Sequence, residues 1–395
     1  MVEADPYPTW VEYSNVVPSG QNGRRILSIG TDATIFERAS PARARLEAYA
    51  NRLGELHVVA LVPPGFRAEQ PAPNLAFYPT NARFSLFRPL SAYRIGKAIL
   101  SRHRINLLSA QDPAESGVAA YLLKRAGSIP LHIQVHTDIL SPAFRKDSWK
   151  EYARWRLARF VIPRGDFFRV VSRRVADSLQ SVFHIPPSRI AILPIFVDRE
   201  AIANARPAFI LRERYPQFDF IVLMVSRLVR EKRIDVALTA FAELCQGFPR
   251  TGLVIVGEGP ERENLESRVK NLELTARVKL EGWQDDSIPY YKGADLYLLT
   301  SAFEGYGRTV VESAAAGLPV VMTDVGVAGE VIRDGETGRV VPVGDHAALV
   351  RALREARQNY SAMRAMARRA QQLVRDLSPR TLGEYTEAYQ RSLLV

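Results

Sequence analysis

The sequence contains a single cysteine among its 395 residues, and this one thiol, Cys245, excludes an internal disulfide bond. Its segment VALTAFAELCQGF has apolar residues at helical spacing, which predicts a buried thiol in a helix. No run of about 18 apolar residues occurs, so no segment has the length of a membrane-spanning helix. Residues 1–20 have acids and prolines where a signal peptide has a basic flank and an apolar stretch, which predicts a cytoplasmic protein.

Low-complexity segments and short internal repeats are also absent, and residues 1–24 form a tail without periodicity. An apolar fraction of 47% beside 24% charged residues is typical of a soluble globular chain. A chain of this length accommodates two domains, each with its own core.

Strand-like and helix-like segments alternate from about residue 25 onward. Short runs rich in Ile, Val and Leu, such as RRILSIG, LHVVALV and INLLSAQ, are typical of parallel strands buried on both faces. The pattern restarts at FDFIVLMVSRL and continues through TGLVIVGEG, RVKLEGW and ADLYLLTS. We therefore predict two doubly wound α/β domains, residues 25–200 and 201–377, with their ligand site outside the carboxyl ends of the strands, in a cleft between them.

The formal net charge of +11 is concentrated in two segments of the first half. Residues 81–104 hold six cations and no acid, and residues 141–174 hold ten cations and three acids. The second segment interleaves aromatics with arginines, which favours peripheral contact with an anionic membrane surface over a solvated helix face. Neither zinc-binding spacing nor an aromatic RNA-binding signature accompanies the charge, so we do not expect a nucleic-acid partner.

Two cations follow the first strand of the second half. Arg227 and Lys232, in VSRLVREKRIDVALTAF, lie in a strand-to-helix connection that favours an anionic ligand, with solvated loop cations as the alternative. After the next strand, Gly257 and Gly259 either let the backbone approach a ligand or make a turn. This motif lacks the third glycine of the dinucleotide fingerprint, which argues against a nicotinamide-dependent reductase.

The stretch EGYGRTVVE follows a predicted strand and opens a predicted helix. Glu304 lies in the loop and Glu312 about one turn into the helix, so the two acids are expected to have different roles. Gly305, Tyr306 and Gly307 fall where backbone N–H groups at a helix start point toward a phosphate.

From Ser226 to about Asp345 the chain resembles the donor-binding domain of glycosyltransferase family 4, whose members are retaining enzymes of the GT-B fold. The matching segments are SRLVREKRIDVALTAF, VIVGEGP, VKLEGW and YYKGADLYLLTSAFEGYGRTVVESAAAGLPVVMTDVGVAGEVIRDGETGRVVPVGD. The first half matches through INLLSAQDPAESGVAAYLLKRAGSIPLHIQVHTD. Residues 378–395 resemble the last helix of the family, which crosses back to the first domain. The resemblance implies two Rossmann-like domains facing each other across a cleft.

The resemblance further implies transfer of a sugar from a nucleotide-diphosphate sugar to a glycan or lipid-linked acceptor, with no metal cofactor. Arg227 and Lys232 would hold the diphosphate, and Glu312 would accept hydrogen bonds from the ribose. Glu304 would lie beside the donor sugar, and His136 would contact that sugar from the first domain, a purely structural histidine being the alternative. The implied catalytic residues are Glu304, His136, Arg227 and Lys232, and the implied donor-binding residues are Gly30, Gly257, Gly259, Gly282, Trp283, Gly305, Tyr306, Gly307, Arg308, Thr309 and Glu312.

The residue types fit this chemistry, because Arg, Lys and backbone N–H groups stabilise a departing diphosphate without a metal ion. Retention is compatible with attack on the face from which the diphosphate leaves or with a covalent intermediate on a carboxylate. Gly30 departs from the Gly-Gly pair common in the family, so a plain turn is its alternative role, and Ile195 and Phe196 replace the usual Asn-Gly. Another sugar-nucleotide enzyme of this fold, such as an epimerase, is the alternative function, although no first-domain carboxylate motif for proton abstraction is present.

Overall fold

The computed structural model describes residues 23–393, which form two compact α/β units. Described residues up to Pro194 and from Thr381 make the first unit, and Ile195–Arg380 make the second. The predicted tail, residues 1–24, lies outside the described residues except for its last two positions, and Arg24 already belongs to a strand. Among the described residues, no helix combines the length and the apolar character needed to cross a bilayer.

The first unit has an eight-stranded sheet in the order β3-β4-β2-β1-β5-β6-β7-β8. Neighbouring strands are parallel except for β3 and β4, which are antiparallel. This edge pair was not predicted, because its segments EQPA and LAFYP are short and contain proline, which is confined to edge positions in sheets. The strands are β1 (Arg24–Gly30), β2 (Gly54–Ala60), β3 (Glu69–Ala72), β4 (Leu75–Pro79), β5 (Leu107–Ala110), β6 (Leu131–Val135), β7 (Phe167–Val170) and β8 (Ile190–Ile192).

The first helix shows how local sequence sets the bounds of an element. The Ser40 side chain accepts a hydrogen bond from the backbone N–H of Arg43 (3.1 Å), Pro41 occupies the first helical position, and Gly54 ends the helix with a positive φ of 107°. The first-unit helices up to residue 183 are α1 (Pro41–Leu53), α2 (Arg88–Leu100), α3 (Glu115–Gly127), α4 (Pro142–Asp147), α5 (Trp149–Val161) and α6 (Arg173–Phe183).

The second unit has a six-stranded, wholly parallel sheet in the order β11-β10-β9-β12-β13-β14. The first strand in sequence, β9, lies between β10 and β12, so the strand order reverses there and leaves a crevice beyond the carboxyl ends of β9 and β12. The strands are β9 (Phe220–Val225), β10 (Thr251–Val256), β11 (Val278–Gly282), β12 (Leu296–Leu299), β13 (Val320–Thr323) and β14 (Arg339–Val341).

The second unit contains eight α-helices. The predicted helical thiol, Cys245, packs in the core of this unit, and burial raises its pKa to about 11. The helices are α7 (Arg199–Asn204), α8 (Leu211–Arg214), α9 (Ile234–Gly247), α10 (Arg262–Asn271), α11 (Ile288–Gly293), α12 (Arg308–Ala315), α13 (His346–Gln358) and α14 (Tyr360–Leu377).

The chain leaves the first unit after Pro194, earlier than the expected boundary at residue 200, because α7 packs against α12 of the second unit. It returns as helix α15 (Leu382–Ser392), which packs on α1 of the first unit. There the ring of Tyr389 stacks on that of Tyr49, with centroids 4.1 Å apart. The amide of Gln134 donates a hydrogen bond to the Tyr389 hydroxyl (3.0 Å), so α15 is part of the first-unit core.

Candidate functional site

The crevice at the carboxyl ends of β9 and β12 brings together two of the predicted residues. Lys232 ends a short 3-10 turn after β9, and Glu304 lies in the loop after β12. The Lys232 ammonium donates to Oε1 of Glu304 at 2.5 Å, and the Ser301 hydroxyl donates to the same oxygen at 2.8 Å. The two charged side chains are only 15% and 14% exposed, so their ion pair is largely shielded from water.

Hydrogen bonds to backbone carbonyl groups join the two loops that carry this ion pair. The Thr300 hydroxyl bonds the carbonyl oxygens of Lys232 (2.9 Å) and Arg233 (3.0 Å). The N–H of Ala302 donates to the carbonyl of Glu231 at 2.8 Å. These contacts fix the loop after β12 against the loop after β9, so the positions of Lys232 and Glu304 are set before any ligand binds.

Arg227, the second predicted diphosphate ligand, has a different environment. Its side chain is 70% exposed, and its guanidinium contacts the Glu231 carboxylate at 3.2 Å. Because this pair is solvent-exposed on the arginine side, it contributes little to stability and its arginine is readily available to an anionic ligand.

Helix α12 begins at the end of the loop that carries Glu304. Gly307 precedes the helix with φ of 87°, a left-handed conformation that favours glycine. Since glycine has no side chain, this N-cap residue supplies no side-chain acceptor to the N–H groups of the first turn. The preceding turn is held by Val327, whose N–H donates to the Tyr306 carbonyl at 2.9 Å, and a Cβ on Gly326 would lie 2.4 Å from the same oxygen.

Glu312 lies within α12 and has partners on both carboxylate oxygens. The Arg308 guanidinium donates to Oε1 at 2.7 Å, and the Tyr291 hydroxyl donates to Oε2 at 2.9 Å. Burial raises the pKa of Tyr291 well above its usual value, so its hydroxyl keeps its proton and donates. The neighbouring Thr309 hydroxyl accepts a hydrogen bond from buried Tyr297 at 2.6 Å, which gives Thr309 a structural role.

The glycines after β10 allow two loops to approach each other. A Cβ on Gly257, whose φ is 136°, would lie 1.9 Å from the Ser226 carbonyl oxygen, and one on Gly259 would lie 2.3 Å from that of Leu228. Close packing against these carbonyl oxygens leaves no room for a side chain at either position, and a role of both glycines in donor binding stays a prediction. Gly282, with φ of 74°, accepts a hydrogen bond from the Gly257 N–H at 2.8 Å.

Trp283 extends from the end of β11 and is 68% exposed. Its indole N–H donates to Asp285 at 3.0 Å, and its ring offers an open aromatic face.

Gly30 and His136 belong to the first unit. A Cβ on Gly30 would lie 2.3 Å from the side-chain oxygen of Gln111, so the glycine makes room for that side chain.

Nε2 of His136 lies 3.1 Å from Oε1 of Gln134, and the Arg169 guanidinium donates to the same oxygen at 2.9 Å. Desolvation, with the nearby charge of Arg169, lowers the pKa of His136 to about 3, so its imidazole is neutral at physiological pH.

Several residues that shape the site were missed by sequence reasoning. Ser301 and Tyr291 contact the two predicted acids, and Thr300 and Gly326 hold the loops around them. Tyr291, Thr300 and Gly326 act through partners distant in sequence, which no local pattern marks, whereas Ser301 acts through nearby Glu304. For Thr300 and Ser301 the sequence did offer a signal, because these hydroxyl residues directly follow β12 and such residues at strand ends commonly bond neighbouring loops.

Two family profiles match the chain, one in each half. Residues 44–201 match the profile described as "Glycosyltransferase Family 4", and residues 211–373 match "Glycosyl transferases group 1". The lipopolysaccharide core biosynthesis glycosyltransferase LpsE of Rhizobium meliloti is 34% identical over 34% of this chain and 38% of its own length. A GDP-mannose-dependent α-(1-6)-phosphatidylinositol monomannoside mannosyltransferase of Mycolicibacterium smegmatis is 28% identical over 80% of this chain and 85% of its own length.

Among solved structures, HepE of Anabaena in complex with UDP and glucose superposes with a TM-score of 0.71 at 20% identity. The superposition covers 91% of this chain and 97% of HepE. Profile matches in both halves, joined by this similarity of fold, show that the chain belongs to the family 4, or group 1, glycosyltransferases of the GT-B fold.

Proposed function

We propose that the protein transfers a sugar from a nucleotide-diphosphate sugar to an acceptor with retained configuration and without a metal ion in the transfer step. The observation that carries this proposal is the shielded ion pair of Lys232 and Glu304 beside the glycine-capped start of α12. A cation, an acid and a helix N-terminus in one crevice suit a ligand that joins an anionic diphosphate to a hydroxyl-rich sugar.

Departure of the nucleoside diphosphate needs stabilisation of its developing negative charge. In this proposal Lys232 and Arg227 supply two cations, and the first-turn N–H groups of α12 supply oriented dipoles. Lys232 is held in place by Glu304, whereas the exposed side chain of Arg227 leaves Glu231 and binds the diphosphate instead. This division of roles gives Lys232 the larger effect on the rate of transfer.

The carboxylate of Glu304 is proposed to hydrogen-bond the donor sugar. Both of its contacts, with Lys232 and Ser301, use Oε1. An ion-paired carboxylate is a weaker nucleophile than an unpaired one. This favours attack by the acceptor on the face from which the diphosphate leaves over a covalent intermediate on Glu304.

Glu312 is proposed to accept hydrogen bonds from the ribose hydroxyls, which would replace its contact with Arg308. The neutral imidazole of His136 suits a hydrogen bond to a sugar hydroxyl.

The acceptor is proposed to be a lipid-linked glycan of the cell envelope. LpsE is named for lipopolysaccharide core synthesis, and the M. smegmatis relative for a phosphatidylinositol monomannoside. The first unit carries a matching surface feature, because Leu86 is 82% exposed and Trp149 is 77% exposed within the two strongly basic segments. Phe84, Phe87 and Tyr152 are exposed as well. Apolar side chains among cations are what an anionic bilayer surface binds, so we propose peripheral membrane contact through residues 81–104 and 141–174.

The test is a transfer assay with a panel of nucleotide sugars and lipid-linked acceptors. Glu304→Gln keeps the size of the side chain and removes its charge, and it is expected to lower the transfer rate by a factor of about 100 or more. Glu336→Gln is the matched control, because Glu336 is an exposed acid of the same unit with only a 3.8 Å ion pair. Full transfer activity of a folded Glu304→Gln protein would contradict the proposal.

A further inference from the structure

A second cluster of chemically active side chains lies in the first unit, at the end of the sheet opposite the carboxyl ends of the strands. Glu55 and His57 are two residues apart on β2 and therefore point to the same face. His103 reaches them from the loop after α2. Oε1 of Glu55 lies 2.8 Å from Nε2 of His57 and 2.8 Å from Nδ1 of His103, and the two imidazole centroids are 4.3 Å apart.

We propose that Glu55, His57 and His103 bind one divalent transition-metal ion of the Zn²⁺ class. Their possible ligand atoms all lie within 4.8 Å of one another. Two imidazoles and one carboxylate match the ligand preference of Zn²⁺, which takes three protein ligands where a water completes the fourth position. An ion bound here replaces the hydrogen bonds that now converge on a single carboxylate oxygen, with small side-chain rotations.

The surroundings support this ligand set. Tyr78, on the neighbouring strand β4, has its hydroxyl 3.1 Å from Nδ1 of His57, so it orients this ring through the nitrogen that does not face Glu55. Such an outer contact is typical of metal-binding histidines. The His57 side chain is 4% exposed and that of His103 is 37% exposed, which leaves one rigid ligand inside and one side open to solvent for ion entry.

The backbone around His103 is already ordered. Its N–H donates to the carbonyl of Ile99 (2.9 Å), its own carbonyl accepts from Ile105 (3.0 Å), and Asn106 donates to the carbonyl of Arg25 on β1 (2.9 Å). A metal ion would therefore fasten this loop to the centre of the sheet without a large rearrangement. Glu55 lies in register with Arg25 near the amino ends of the strands of the first unit, and the site shares none of the residues proposed for sugar transfer.

One neighbouring charge opposes the binding of a cation. Nε of Arg25 lies 3.4 Å from the second carboxylate oxygen of Glu55. Removing this positive charge should tighten the site, since the guanidinium both repels the ion and competes for the carboxylate. The substitution Arg25→Ala is therefore expected to raise the affinity for Zn²⁺ several-fold, an effect that a purely structural His–Glu–His cluster would not show.

The experiment is calorimetric titration of the full chain, without an affinity tag, with Zn²⁺, and absorption spectroscopy with Co²⁺ as the reporting ion. The wild type is expected to bind one equivalent and to melt several degrees higher with Zn²⁺ in about 100-fold excess over Kd. His103→Gln should weaken binding by a factor of about 100 or more, and Tyr78→Phe by a factor of about 10. The control His346→Gln, which breaks a two-member His–carboxylate pair with Glu243, should change nothing.

Three results would overturn the proposal. These are no binding of Zn²⁺ by the wild type at micromolar concentration, equal binding by wild type and folded His103→Gln, and loss of binding in His346→Gln. Glu304→Gln, which is expected to lose sugar transfer, should bind Zn²⁺ as the wild type does, so this test and that of the proposed function fail separately.

Discussion

The ammonium of Lys232 and the carboxylate of Glu304 lie 2.5 Å apart although 72 positions separate them in the sequence. Their loops follow β9 and β12, which are neighbours in the sheet although β10 and β11 come between them in the chain. The contact therefore depends on the strand order of the second unit. A largely buried ion pair of this kind is costly to break from one side only, because the remaining charge loses its partner.

A double-mutant cycle measures this coupling. Lys232→Met and Glu304→Gln should each lower the free energy of unfolding by about 1–3 kcal/mol, and the double variant should lose at least about 1 kcal/mol less than their sum. Urea unfolding of the four proteins gives the four free energies. Strictly additive losses would show that the two groups do not interact in solution.

The conformation of Gly307 provides a second prediction. Gly307→Ala should destabilise the protein by about 1–2 kcal/mol, because alanine disfavours the left-handed φ of 87° although its Cβ has room, 3.6 Å from Val310. The same change should weaken nucleotide binding by disturbing the start of α12. Gly247→Ala is the matched control, because a Cβ there meets nothing within 4 Å and α9 ends at that residue. Equal effects of the two substitutions on Tm would refute the argument.

Acid should destabilise the first unit through a buried histidine. His132 is fully buried, and desolvation, with Arg169 and Arg24, lowers its pKa from 6.5 to about 3. The unfolded chain binds a proton below pH 6.5 that the folded chain does not, so stability falls as pH drops from 6.5 toward 3, by about 1.4 kcal/mol per pH unit for one such group. His136 adds a similar contribution, since its pKa is lowered to about 3 as well.

Measuring the free energy of unfolding between pH 7 and pH 4 for wild type and His132→Gln tests this. Its decrease with falling pH should be smaller in the variant by about 1.4 kcal/mol per pH unit. The control His346→Gln removes a surface histidine and should keep the slope of the wild type. An unchanged slope in His132→Gln would contradict the assignment.

Vesicle co-sedimentation tests the membrane proposal. Leu86→Ser should reduce binding to vesicles that contain anionic lipid, because it removes the most exposed apolar side chain of residues 81–104. Leu377→Ser, at a residue that is 38% exposed on the second unit, is the control and should bind as the wild type does. Binding that does not depend on anionic lipid, or that is equal in the two variants, would contradict membrane contact through the basic segments.

Much of the fold could be predicted because buried parallel strands consist of short runs of Ile, Val and Leu. Each of the six strands of the second unit coincides with such a run, and the restart of these runs after the first set indicated two sheets. The edge strands β3 and β4 escaped detection because EQPA has little apolar character and LAFYP ends in proline. Their pairing depends on the neighbouring strand β2 more than on local propensity.

For the site, EGYGRTVVE correctly indicated a loop with Glu304 and a helix with Glu312. The side chains that bind these two acids could not be predicted, because Lys232 and Tyr291 are brought to them by the strand order of the sheet and by the position of α11. The cluster of Glu55 and His103 illustrates the same limit, since 48 positions separate the two and no metal-binding spacing marks them.

The most direct test of the central claim is calorimetric titration with UDP, GDP and ADP, each beside its monophosphate, of wild type, Lys232→Met and the exposed control Lys270→Met. One diphosphate should bind the wild type more tightly than its monophosphate. Lys232→Met should weaken that binding by a factor of about 10 or more, because it removes a shielded cation from the proposed diphosphate site, whereas Lys270→Met should match the wild type. Equal affinity of wild type and folded Lys232→Met for the preferred diphosphate would contradict the account.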